Sequence, residues 1–164
     1  MRRIALACLI VLVACDDDEG PSGTNYAGNY PGEFYVIASS TEPEERDSIP
    51  GGDATLSLTH SGDDRYHFSE TTGLGGPDLD IEIDAAGTVG FPTFAAPASL
   101  DLIESLLGPI CDLANATAIP SGSVVNGRLT ITVLATGATC DWSAGLGNDV
   151  RPTEIQLTWT GTRS

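Results

Sequence analysis

His60 and His67 are the only two histidines in this sequence. No other side chain ordinarily titrates close to neutral pH, so they are its natural candidates for a general base. A Ser–His–Asp or Cys–His scheme would have to use one of them. No G-x-S-x-G, H-E-x-x-H or phosphate-loop pattern accompanies either. We therefore expect no catalytic residue, no cofactor and no enzyme. Carboxylates are more plentiful. Asp78, Asp80, Glu82 and Asp84 alternate with Leu79, Ile81 and Ile83, and this stripe is the chain's one weak calcium candidate. Same-face neighbours on a strand stand about 6.6–6.8 Å apart, too far for one ion to gather all four. An EF-hand loop would also need glycine at its sixth position, where Ile83 stands. The expectation is a solvated acidic face with no metal bound.

Sulfur is the remaining reactive element. Cys8 and Cys15 lie in the first fifteen residues, far from Cys111 and Cys140. Arg2 and Arg3 precede eleven apolar or small residues, 4–14. That run is shorter than the roughly 20 residues a membrane-spanning helix needs, and it suits the apolar core of an export signal. Leu12, Val13, Ala14 and Cys15 close it. The LVAC string resembles the lipobox of bacterial lipoproteins. The resemblance implies cleavage by signal peptidase II and a diacylglyceryl thioether on Cys15, with a further acyl chain such as palmitate on the new amino terminus. Each buried methylene contributes about 0.8 kcal/mol, and two or more chains anchor stably.

The organisation that follows is a signal peptide over 1–14, a lipidated cysteine with an acidic tether over 15–25, and one domain over 26–164. The tether reads DDDEGPSGT, a composition that cannot bury a core, and its nine residues reach about 30 Å. The resemblance implies localisation in the bacterial cell envelope. Asp directly after the cysteine resembles an inner-membrane retention mark in enterobacterial lipoproteins, and an acidic run there resembles a surface-export mark in other phyla. Inner membrane, outer membrane and cell surface all fit. With Cys8 removed and Cys15 lipidated, Cys111 and Cys140 remain, and a disulfide is the default for such a pair in an oxidising compartment.

The formal charge is −16, from 7 Arg and no Lys against 23 Asp and Glu. Losing Arg2 and Arg3 with the signal takes it to −18. Nucleic acid is excluded as a partner, because its phosphates need basic residues.

Period two dominates the domain. Phe34, Val36 and Ala38 place a first strand near 30–39, and the charged stretch 41–52, with two prolines and two glycines, reads as a loop. Leu56 and Leu58 answer Tyr66 and Phe68 in a hairpin. Pairing Leu58 with Phe68 and His60 with Tyr66 leaves one apolar face, whereas a one-residue slip would turn the apolar sets to opposite sides. Residues 78–84 form the acidic strand and 88–91 a short one. Leu100, Ile103, Leu106 and Leu107 fall at helical spacing over 99–107, and Gly108 and Pro109 stop the helix. A further helical turn is expected to carry Cys111. Asn126 and Gly127 mark a type I′ hairpin. Strands are expected around Leu129–Val133, over 139–143 and around Ile155–Trp159. Tyr30, Tyr35, Tyr66, Phe68, Phe91, Trp142 and Trp159 are expected in the core and at barrel ends.

The sum is all-β: a small antiparallel up-and-down barrel of 8–9 strands with one short helix inserted near 99–107. A β-sandwich is the alternative. Gly28, Asn29 and Tyr30 at the start of the first strand resemble the G-x-W opening of lipocalins, with Tyr for Trp. Arg163 stands where that family often carries a basic residue packed on the aromatic. The resemblance implies either a cup for an apolar ligand or a purely structural barrel. It departs from the family in the Trp-to-Tyr change and in a helix placed between strands. The functional expectation is a lipid-anchored binding or scaffold module holding a small hydrophobic molecule. The alternative is an acidic envelope protein that binds or inhibits a basic protein partner.

Overall fold

The computed structural model describes residues 24–41, 44–71, 78–143 and 149–164; the lipobox and most of the acidic tether lie outside them. Nine strands and one α-helix occur among the described residues. They are β1 (Gly28–Thr41), β2 (Glu44–Gly62), β3 (Arg65–Glu70), β4 (Asp78–Ile83), β5 (Thr88–Gly90), α1 (Ala95–Leu107), β6 (Cys111–Asp112), β7 (Thr117–Val125), β8 (Arg128–Asp141) and β9 (Val150–Thr162). Each strand of the series β1-β2-β3-β4-β5-β7-β8-β9 pairs antiparallel with the next, and β9 returns to β1. Eight strands thus close an up-and-down barrel, which removes the free edges an open sheet would present. β6 stands outside the ring, paired to the far end of β8. The fold is the lipocalin-like barrel expected, not the sandwich.

The β2–β3 register matches the one-apolar-face argument: Leu58 pairs with Phe68 and His60 with Tyr66. Asn126 and Gly127 turn with φ of 51° and 74°, the two positive values a type I′ turn requires. On β4, Leu79, Ile81 and Ile83 are buried while Asp78, Asp80 and Glu82 are exposed.

Several boundaries differ from the sequence-based expectation. The first strand is longer than 30–39, and residues 44–52 are strand rather than loop, because the far half of β1 pairs along Glu44 to Pro50. Gly51 and Gly52 bulge opposite Phe34, where the β1–β2 register shifts. A Cβ on Gly51 would lie 1.8 Å from the Phe34 carbonyl oxygen, so this crossing demands glycine. The separate strand expected over 139–143 is the far half of β8, joined to its near half by an irregularity between Ala135 and Ala138. The helix begins four residues before 99, with Pro97 in its first turn, where a missing N–H costs nothing. Gly108 ends it, donating its N–H to the Glu104 carbonyl. Cys111 follows a single 3-10 turn (Gly108–Ile110) but is itself in β6.

The two ends of the barrel differ. Short turns between β2 and β3, β4 and β5, and β7 and β8 crowd one end, where Tyr26, Tyr30 and Tyr66 are buried. At the other end α1 enters the mouth and buries Ile103 and Leu107 among Val36, Val133, Ile155 and Leu157.

Candidate functional site

An apolar hollow of about 80 Å³ lies beneath α1. Phe34, Phe68 and Trp159 project into it from β1, β3 and β9, and Leu102 and Leu106 cover it from the helix. Of its polar side chains, Ser99 donates its hydroxyl to the Ala95 carbonyl at 2.8 Å, and the Trp159 indole N–H donates to the Ala54 carbonyl at 3.3 Å. Among the described residues, Glu70 is the ionisable one on its wall. A side-chain-lined hollow with so few polar partners suits hydrocarbon better than water. Its volume is about half of the roughly 150 Å³ known to admit benzene.

A second, more open hollow of about 230 Å³ lies alongside, bounded by Val36, Ile49, Gly51, Gly52 and Asp53. Phe34 and Leu106 line both hollows and so stand between them. The two volumes together reach only the lower end of ligand pockets, roughly 300 Å³. The bulge contributes to this geometry: it leaves two residues without side chains opposite Phe34, beside the second hollow. Sequence reasoning missed Phe34, the Gly51–Gly52 floor and Glu70. The adjacent glycines amid a strand-like context were the available signal, and the alternation of Tyr66, Phe68 and Glu70 already put the carboxylate on the inner face.

The tyrosine end is sealed. Tyr30 is fully buried and donates its hydroxyl to the Tyr26 carbonyl at 2.6 Å, while the Tyr26 N–H donates to the Tyr66 hydroxyl oxygen at 3.3 Å. Burial raises the Tyr30 phenol above its usual range, with the Arg163 charge pulling the other way. Arg163 donates to the Asn25 carbonyl at 2.9 Å, and its guanidinium lies where a Cβ on Gly28 would come within 2.9 Å. Gly28, Tyr30 and Arg163 are thus gathered at one barrel end.

Cys111 and Cys140 are joined by a disulfide, which fixes β6 and the segment leaving α1 to β8. The histidines serve local structure. His60 donates from Nε2 to the Asp63 carbonyl at 2.8 Å and packs its ring against Tyr66. On the outer wall, His67 lies 2.8 Å from Asp78 and 3.0 Å from Asp80, through opposite ring nitrogens. Arg65 reaches Glu82 at 3.7 Å. Asp84 takes the backbone N–H groups of Thr88 and Ala86 at 2.8 and 2.9 Å, and these hold its carboxyl below the usual range, Thr88 foremost. The stripe is therefore tied to β3 and to its own turn. Among the described residues no three His, Cys, Asp or Glu side chains gather as metal ligands.

Of the aromatics expected in the core and at the barrel ends, Tyr35 lies outside the core, whereas Trp142 packs against it, half-buried, at the mouth. Tyr35 is 40% exposed on the outer wall. Trp142 sits beyond β8 with Arg151 5.7 Å over its ring, and donates its indole N–H to the Thr153 hydroxyl. The same Arg151 bonds Asp149 and Glu45, tying together the strand ends at the mouth.

No family model matches the chain, and no curated protein matches it. A solved multidomain protein including DUF1735 from Bacteroides ovatus superposes at TM-score 0.30 and 13% identity, over 83% of this chain and 56% of that one. A second Bacteroides ovatus protein, of unknown function, gives 0.29 and 13%, over 83% and 47%. The chain spans about half the length of each. At that degree of superposition the likeness bears on neither site nor function.

Proposed function

We propose that this chain is a lipid-anchored binding module of the bacterial cell envelope that holds a small hydrophobic ligand in a helix-capped barrel and performs no catalysis. The observation that supports the ligand is the hollow under α1, walled by Phe34, Phe68, Leu102, Leu106 and Trp159. The anchor rests on the LVAC motif ending at Cys15. No helix among the described residues is long and apolar enough to cross a membrane, so attachment through acyl chains on Cys15 accounts for a membrane location.

Protein extracted mildly from membranes is expected to carry an apolar molecule detectable by mass spectrometry. It is also expected to take up labelled palmitate, which Cys15→Ala abolishes. Full occupancy by side chains alone, with no co-purifying molecule, reduces the barrel to a scaffold. Palmitate incorporation that persists in Cys15→Ala removes the anchor from that residue. The exposed carboxylates of β4 favour a second reading, in which the outer wall meets a basic protein. Capture of such a partner would fall steeply with salt, since exposed charges are screened within about 8 Å at physiological strength.

A further inference from the structure

Among the described residues, the hollow beneath α1 is long for its volume. The helix side that lines it runs Ala95, Ser99, Leu102, Leu106, a single stripe at helical spacing. From the first of these to the last the helix rises about 16 Å, and about 80 Å³ drawn along that stripe is a slot, not a bowl. Phe68 and Trp159 on the strand wall are buried in the core cluster, so the slot cannot widen without displacing close-packed side chains. Phe34 marks the boundary with the outer groove. It is half-buried and packs against both clusters of buried side chains, the one around Tyr30 and Phe68 and the one around Ile103 and Leu157. Its ring lies beside the glycine pair: a Cβ on Gly51 would come within 2.7 Å of it, and one on Gly52 within an ordinary 3.7 Å. Gly52 lines the outer groove and lies outside the left-handed region, so a side chain there would fill the groove without backbone strain.

We infer that the ligand is an unbranched alkyl chain, its tail in the slot beneath α1 and its near end in the outer groove, and that Phe34 and Leu106 select it against rigid ring systems. This rests on the hydrophobic-ligand reading above and names the class of ligand that site takes. Phe34 and Leu106 line both hollows and narrow the way between them. A chain one methylene wide can pass that narrowing and lie in both compartments at once. A fused ring system must fit whole into one. The inner compartment is smaller than the space that admits benzene, and the outer one is an open groove that leaves much of a guest in water. Gly51, Gly52 and Asp53 are exposed, so a hydroxyl head held beside them keeps its solvent.

The test uses uncharged alcohols: butanol, octanol and decanol as chains, and decahydro-2-naphthol as a ring system with the carbon count of decanol. They are titrated below their solubility limits into the full chain carrying Cys15→Ala, which has no acyl group of its own on that residue, and Trp142→Phe. Of the two tryptophans in the chain, that leaves Trp159, on the slot wall, as the reporter. Affinities are compared after correction for each alcohol's own octanol–water partition. Decanol is expected to bind at least about tenfold more tightly than decahydro-2-naphthol on that corrected scale. Leu106→Ala, which opens the narrowing, should cut the contrast to about threefold or less. Gly52→Val, which fills the groove and leaves the slot alone, should weaken octanol and decanol at least about fivefold while butanol holds within about twofold. A ring bound as tightly as the chain, or a decanol affinity that Gly52→Val leaves within about twofold, overturns the assignment and leaves the hydrophobic-ligand reading standing. Absence of any Trp159 response to all four alcohols overturns that reading, and this inference with it.

Discussion

The two ends of the barrel solve the same problem, closing a ring of eight strands, by opposite means. At the tyrosine end, tight turns bring the strands together and three phenols fill the space, with the Tyr30 hydroxyl and the Tyr26 N–H bonded to neighbours across it. At the mouth, the long β1–β2 hairpin, the helix and the disulfide do the closing, and two hollows remain. Close packing around satisfied polar groups makes a rigid plug. A helix tied through the disulfide that follows it, over an incompletely filled space, makes a looser closure. The difference separates a densely packed closure from a looser one.

Removing the plug should have the largest effect. Tyr30→Ala deletes a fully buried ring and its bond to Tyr26, and should destabilise the domain by about 3–5 kcal/mol in chemical denaturation. A loss below about 1 kcal/mol would mean the tyrosine end is not the firmer one. Next comes the disulfide, whose 29-residue separation corresponds to about 3–4 kcal/mol of chain-entropy stabilisation. Its signature should be local as well as global. On replacing Cys111 and Cys140 by alanine, hydrogen exchange should accelerate in α1 before it accelerates around Tyr26 and Tyr30. Equal acceleration at both ends would erase the distinction.

The smallest effect concerns Asp84, in the turn at the tyrosine end. Its carboxyl is held below the usual range, chiefly by the Thr88 N–H, so the ionised form favours the folded state. A lowered folded value gives stability that is present above the unfolded carboxylate range, near pH 3.9, and is lost as pH falls through the folded value. The stability gap between the native chain and Asp84→Asn, measured by denaturation across pH, should therefore be open at neutral pH and close in acid. A constant gap would assign the effect to the side chain's shape and not its charge.

The sequence carried the tyrosine end more legibly than the mouth, for a physical reason. Asn126–Gly127, the Leu58–Phe68 register and the alternation along β4 are local patterns, set by φ preference and by which side of a strand is apolar. Residues 44–52 show no such alternation. Their strand exists because β1, up to fourteen residues long, offers them a partner, and the glycines opposite Phe34 let them change face midway. The continuity of β8 was hidden for a similar reason, behind the irregularity at Thr136 and Gly137, so that its far part reads as a separate strand. The hollow itself belongs to no segment. It is the volume left when eight strands and one amphipathic helix fail to fill the circle they enclose, so its wall could be listed by parity but its existence could not. The cysteine pair was legible from compartment logic alone.

Eight is an even number, and an up-and-down ring of even count brings the chain back to the rim from which it set out. Ser164 donates its N–H to the Asn29 carbonyl at 2.9 Å, so the two described termini meet there. A linker of a few residues joining them would permit circular permutation without threading the ring. A protein fused after Ser164 would crowd the phenol-filled rim and leave the helix-covered one clear.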